Sequence, residues 1–194
     1  MGLRTLALKG GDIASLLALE GQAFYASDAA QGDFVTGVTS FATTTPTFLL
    51  RVPSGTTAIP LGVSLAQAST VAGAAISVIL EFDNAERFSA GGTTETILSA
   101  RTIGPSSSSN ATAACTVLSN PTATDAYGIR VDGVVLGPDV SSAEGAVNQY
   151  LWTPSGGYSF LVGPAAMLVY TFAGTTAPTW LWTLKWAEVL TVNL

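Results

Sequence analysis

The 194-residue sequence contains no histidine, and cysteine occurs once, at Cys115. Without histidine it lacks the side chain that most often carries acid-base catalysis near neutral pH. A single cysteine can form neither an internal disulfide nor a cysteine-based zinc site. Its only lysines are Lys9 and Lys185, and neither lies in a recognisable catalytic motif. The sequence therefore predicts a protein that is not an enzyme and needs no cofactor or metal.

Charged residues are also scarce, at 10% of the chain, whereas an ordinary soluble domain has about 25%. The 13 acidic and seven basic residues give a formal net charge of −6, and the arginines are scattered rather than clustered. Because phosphate binding requires clustered basic side chains, we expect no nucleic-acid partner. A surface with so few charges would associate through its apolar patches, so we expect self-association.

Long apolar runs are missing as well. The most apolar stretch near the N-terminus, residues 13–19, is flanked by Asp12 and Glu20 and is far shorter than the ~20 residues needed to cross a bilayer. We therefore expect no membrane partner. Asp12 is a candidate N-cap for a short helix, and residues 1–33 are a candidate N-terminal arm.

Strand patterns dominate the remaining sequence. One apolar face is predicted for Ile59, Leu61, Val63 and Leu65, and another for Ile76, Val78, Leu80 and Phe82. Asp132-Gly133 is predicted to form a two-residue hairpin turn. Further candidate strands are 34–41, 46–52, 94–103, 112–118, 129–136, 148–152, 166–172 and 179–189. About ten strands at this spacing predict an all-β protein, an antiparallel β-sandwich forming a single domain over residues 1–194.

Tryptophan is concentrated near the C-terminus. Trp180, Trp182 and Trp186 have the same parity, so a strand would direct all three to one face. Together with Trp152 they are candidates for the core or for a subunit interface, where large aromatic groups are favoured. The alternative is a sugar-binding platform, in which Tyr127, Tyr150 and Tyr158 are the candidate glycan contacts.

Two acidic side chains lie two positions apart in the sequence. Glu81 and Asp83 share one face of a predicted strand, and a carboxylate pair is the machinery of a glycosidase. Such enzymes normally take the two carboxylates from separate elements, so a polar strand end is the preferred interpretation. Asp83, Asn84 and Glu86 could offer oxygen atoms to calcium, but their spacing matches no EF-hand loop.

Three segments carry a resemblance to a known group of proteins: 46–53 (PTFLLRVP), 59–65 (IPLGVSL) and 178–186 (PTWLWTLKW), joined by loops of small residues. Over residues 34–190 the chain resembles the single jelly-roll structural proteins of viruses, especially bacteriophage capsid and head-decoration subunits. The resemblance implies an eight-stranded sandwich of two Greek keys, often a homotrimer, located in the virion beside other capsid proteins, with no catalytic residue. A receptor- or carbohydrate-binding β-sandwich module is the alternative function.

Overall fold

The computed structural model describes residues 13–27, 34–69, 71, 75–100, 113–125, 128–137, 148–155 and 157–191. In this part of the chain one short helix, α1 (Ile13–Leu19), precedes a series of strands. The strands are β1 (Ala23–Ser27), β2 (Val35–Thr36), β3 (Phe48–Val52), β4 (Thr56–Gln67), β5 (Ile76–Asp83), β6 (Phe88–Ala90), β7 (Thr93–Thr94), β8 (Ile97–Ser99), β9 (Thr116–Ser119), β10 (Thr122–Ala123), β11 (Ile129–Leu136), β12 (Gln149–Trp152), β13 (Leu161–Val162), β14 (Ala165–Ala173) and β15 (Thr179–Leu190).

Two antiparallel sheets pack against each other. Sheet A has the order β12-β4-β15-β1-β8, with β13 added on β4 and β2 on β15. Sheet B has the order β11-β5-β14-β3-β9-β7. Side chains from the inner faces of both sheets form one continuous apolar core. The predicted all-β sandwich is confirmed.

The strand order is that of a jelly roll. Four strands of sheet A, β1-β15-β4-β12, face four strands of sheet B, β3-β14-β5-β11. Along the chain, every connection between these eight strands passes from one sheet to the other, except that from β5 to β11. This is the interleaving of two Greek keys that defines the fold, so the eight main strands expected from the sequence are present.

The chain between β5 and β11 enlarges the sandwich. Its strand β8 pairs with β1 in sheet A, while β9 pairs with β3 in sheet B, so both sheets are extended at the same side. The β6/β10 ribbon from this insertion covers part of the outer face of sheet B, where Phe88 and Ala123 pack against Leu49 and Leu168. The central strand β14 is consequently buried on both faces.

A bulge in β4 corrects one predicted face. Lys185 pairs with Gly62 and Trp186 pairs with Pro60, so Leu61 is an extra residue in the ladder. Val63 and Leu65 point into the core as predicted, whereas Ile59 and Leu61 lie on the outer face of sheet A beside α1. Strict alternation over residues 59–65 is therefore wrong.

The predicted hairpin at Asp132-Gly133 is also wrong. Residues 129–136 form one strand, β11, which pairs continuously with β5 apart from a register shift between Arg130 and Asp132. The guanidinium group of Arg130 lies over Gly133, in the space that a Cβ atom at this position would occupy. The glycine accommodates an arginine side chain and does not form a turn.

Part of the candidate N-terminal arm belongs to the sandwich itself. Within residues 1–33, β1 pairs with β15 on one side and with β8 on the other. Phe24 and Ala26 of this strand are buried in the core. On the outer face of sheet A, α1 covers the strands through Leu17, which packs with Ala23 and Ala187. Residues 13–27 are therefore part of the sandwich and do not form an arm that extends to a neighbouring subunit.

Candidate interaction surfaces

The four tryptophans lie inside a single chain. Trp180 and Trp186 are fully buried, and Trp182 is 4% exposed. The ring centroids of Trp182 and Phe48 are 4.5 Å apart, which joins the two sheets, and Trp186 stacks on Phe24 at 6.0 Å. Trp152 closes one side of the core, with its ring edge-on to Phe82. Of the two roles considered, core and subunit interface, the geometry places these residues in the core.

A buried carboxylate, which sequence patterns did not reveal, anchors one end of this core. Glu188 Oε2 accepts a hydrogen bond from the backbone N–H of Ala114 at 2.6 Å. Glu188 Oε1 accepts from the N–H of Cys115 at 3.1 Å and from Nε1–H of Trp186 at 2.8 Å. Glu188 thus joins the last strand of sheet A to the segment that leads into β9 of sheet B.

Cys115 has no reactive character in this setting. Burial raises the pKa of its thiol well above the usual range, and the facing carboxylate of Glu188 raises that pKa further. Nucleophilic cysteines need the opposite, a thiolate stabilised by positive charge. Cys115 is a structural thiol of the core.

Tyr150 and Tyr158, the two proposed glycan contacts that the structure describes, do not lie together in one platform. Tyr150 is 4% exposed, and its hydroxyl donates a hydrogen bond to Oδ2 of Asp132 at 2.9 Å. Burial and this hydrogen bond raise the pKa of Tyr150. Tyr158 packs beside α1 in the cluster that contains Leu17. Tyr127 lies outside the described residues. A sugar contact through Tyr150 is therefore ruled out by burial.

Glu81 and Asp83 do share one outer face of β5, but Asp83 is held in an ion pair with Arg87. Oδ2 of Asp83 lies 2.8 Å from Nε of Arg87, and Oδ1 accepts the N–H of Ala85. The pKa of Glu81 is raised above its usual value, chiefly by burial. The positive charge of Arg130 partly opposes this shift, and the negative charge of Asp83 adds to it. Both carboxylate oxygens of Asp83 therefore stabilise the turn that follows β5, as expected for a polar strand end. Across the described ranges, no three acidic or cysteine side chains are grouped closely enough to hold a metal ion.

The described strands of sheet A place almost no charge on their outer face. Leu151, Ser64, Thr183 and Ser27 lie opposite one another on four neighbouring strands. Leu181 and Ala66 form the adjacent row. We call these six residues the neutral face. Leu151 is 73% exposed and Leu181 is 43% exposed, so the face combines small polar groups with solvent-facing leucines.

Lys185 is the one charged side chain that the described strands of sheet A place on their outer side. It borders a groove of about 470 Å³ that runs beside α1 and has Ala18, Tyr25 and Leu61 among its lining residues. Sheet B and the turn that follows β5, by contrast, carry the Arg51–Glu86 and Arg87–Asp83 ion pairs. The two outer faces of the sandwich therefore differ sharply in charge.

The two lateral edges also differ. On one side, β11 is an eight-residue edge strand whose Ile129 and Val135 are 77% and 67% exposed. Tyr150 of β12 bonds to Asp132 of β11, so both edge strands lie at this side. On the other side, the edges are formed by the short strands β8 and β7. Short edge strands resist pairing with other chains, whereas a long apolar edge favours it.

Comparisons of the chain with protein-family models, curated proteins and solved structures found no match. In the part of the chain that the structure describes, no helix is both long and apolar enough to cross a membrane.

Proposed function

We propose that this chain is a structural subunit of a virus particle, either a shell protein or a decoration on its surface. It assembles with copies of itself, as a homotrimer, and contacts other capsid proteins. It has no catalytic role, and it binds neither nucleic acid nor membrane. This proposal is based in part on the resemblance of the sequence to viral jelly-roll proteins.

The observation that supports this proposal most is the neutral face. A free surface normally carries mixed charges that keep a protein monomeric, and this one has none among its six residues. Exposed leucines surrounded by small side chains are suited to flat, close contact with another protein surface. The jelly roll alone would not support the proposal, because that fold serves many functions.

A second support is the contrast between the two sides of the sandwich. Ion pairs such as Arg51–Glu86 are exposed on sheet B, where they suit contact with water. A subunit that turns sheet A toward its neighbours and sheet B toward solvent would bury little charge. Such an arrangement avoids the cost of desolvating charged groups in an interface.

Substituting Leu151 with aspartate tests this orientation. We expect the wild-type protein to scatter light as a trimer over a wide concentration range. We expect Leu151→Asp to weaken association at least about 100-fold, because an unpaired carboxylate would be buried in the contact. Multi-angle light scattering after size-exclusion chromatography measures both masses.

Leu190→Asp is the matched control. Leu190 is 61% exposed and lies at the far end of β15 from the neutral face, so this variant should keep the mass of the wild type. A wild-type protein that stays monomeric at every concentration would argue against the proposal. A trimer that survives Leu151→Asp would show that a different surface is used.

A further inference from the structure

A small polar pocket lies between the two sheets, on the side away from β11 and β12. On the side of sheet A it is lined by Val35 of β2 and by Phe34, the residue before that strand. On the side of sheet B it is lined by residues of β7, β9 and the adjoining loops: Thr93, Glu95, Ser119 and Asn120. Trp182 contributes the remaining lining. The pocket has a volume of about 160 Å³, well below the about 300–1,000 Å³ of sites for drug-sized molecules, so it would hold a group the size of one ring.

The polar side chains of the pocket offer both donors and acceptors. Glu95 uses one carboxylate oxygen to accept a hydrogen bond from the Ser119 hydroxyl. Among the described residues, its other oxygen and the side-chain amide of Asn120 have no hydrogen-bond partner. Thr93 adds an exposed hydroxyl. A carboxylate, an amide and a hydroxyl together match a ligand that has several neighbouring hydroxyl groups.

Aromatic rings supply the apolar part of the site. Phe34 lines the pocket and is 45% exposed, so part of its side chain is accessible to a ligand. Trp182 is 4% exposed, so only a small part of it contacts the pocket. The apolar C–H face of a sugar ring can pack on such a ring while its hydroxyl groups bond at the sides, in the usual division between apolar lining and a few polar groups.

Backbone geometry holds the polar wall in place. Asn120 has a φ of 48°, a left-handed conformation that is uncommon for a residue other than glycine, and its N–H bonds to the carbonyl of Thr47. Gly92, with a φ of 79°, passes so close that a Cβ atom there would lie 2.8 Å from the carbonyl oxygen of Ser119. The loop before β7 therefore sits tightly against the end of β9.

We propose that this pocket binds a neutral sugar residue, which would give the protein a glycan-binding activity in addition to its structural role. Among the residues that the structure describes, no lysine or arginine lines the pocket, and Glu95 would repel an acidic sugar. The sugar class is therefore an uncharged hexose or N-acetylhexosamine. The site differs from the tyrosine platform considered above, because it uses none of Tyr127, Tyr150 or Tyr158.

The test is a titration of the full-length protein with methyl glycosides of glucose, galactose, mannose and N-acetylglucosamine, followed by saturation-transfer NMR and ¹H–¹⁵N chemical-shift changes. At least one of them should bind with a Kd on the order of 1–10 mM, which is typical for one small ring. The Asn120 side-chain amide should be among the signals that shift. Sialic acid, which is anionic, should not bind.

Two variants separate the pocket from other surfaces. Asn120→Gly tolerates the positive φ but removes the amide, and Phe34→Ala removes the stacking ring; each should weaken binding about fivefold or more. Phe160→Ala is the control, since Phe160 is 52% exposed and does not line the pocket. Thermal melts establish that all three variants are folded.

Three results would overturn the proposal. One is the absence of binding by every neutral glycoside at ligand concentrations well above the expected Kd. Another is binding that neither Asn120→Gly nor Phe34→Ala weakens. The third is equal binding of choline, because an aromatic pocket with one carboxylate would then be a cation site.

Discussion

Replacing Glu188 with alanine is expected to lower the free energy of unfolding by about 3–5 kcal/mol. The carboxylate accepts three hydrogen bonds, from the backbone N–H groups of Ala114 and Cys115 and from Nε1–H of Trp186. Each buried donor left without an acceptor costs about 1–3 kcal/mol. The change also removes the link between β15 and the segment before β9. Urea unfolding followed by circular dichroism measures the effect.

A double-mutant cycle isolates the tryptophan part of this arrangement. Trp186→Phe keeps an aromatic ring on Phe24 but removes the N–H donor, so it should cost less than Glu188→Ala. The two changes combined should cost less than the sum of the single costs, since they remove the same hydrogen bond. If the effects simply add, the hydrogen bond contributes nothing to stability. If Glu188→Ala costs under about 1 kcal/mol, the carboxylate does not anchor the core.

Truncating Trp182 to alanine should cost a similar amount, about 3–5 kcal/mol. Its ring packs on Phe48 of the opposite sheet at a centroid distance of 4.5 Å, so its removal leaves a cavity between the two sheets. The cost should appear as a lower urea midpoint with an unchanged slope. Far-UV circular dichroism of the native variant should still show a β-sheet protein.

Leu181→Ala provides the comparison for Trp182→Ala. Leu181 is the neighbouring residue on the same strand, but it lies on the outer face and is 43% exposed. At a concentration at which the protein is dissociated, its truncation should change stability by no more than about 0.5 kcal/mol. Equal effects at the two positions would contradict the assignment of Trp182 to the core.

Alternation of apolar and polar residues was enough to predict most of the sandwich. Val63 and Leu65 in β4, and Val78 and Leu80 in β5, point into the core as their spacing predicted. The shared parity of the tryptophans in β15 also corresponds to a single buried face. These predictions succeeded because a strand with one buried face places successive residues on opposite sides of the sheet.

Other features depended on contacts between residues far apart in the sequence. The bulge at Leu61 is defined by the pairing of β4 with β15, over a hundred residues away, and it reverses the face of Ile59. Asp132-Gly133 has the composition of a turn, but pairing with β5 keeps it within a single strand. A local pattern contains no information about either partner.

The candidate surfaces were harder to predict for the same reason. Tyr150 looked available for a ligand, yet Asp132 and the core enclose it. The pocket at Phe34 and Asn120 is assembled from four separate segments, at residues 34–35, 93–95, 119–120 and 182, and no single motif marks it. Only the scarcity of charge, which is a property of the whole chain, indicated in advance that part of the surface would be neutral.

The position of β15 in sheet A has a consequence for biosynthesis. This strand lies between β1 and β4, yet it follows both of them in the chain by more than 100 residues. While the ribosome is still translating residues before 179, β1 and β4 each have an open edge and the core lacks three of its tryptophans. Nascent chains would therefore be exposed to aggregation until β15 has been synthesised. Folding of the complete chain should be slow, because its central pairings close such long loops.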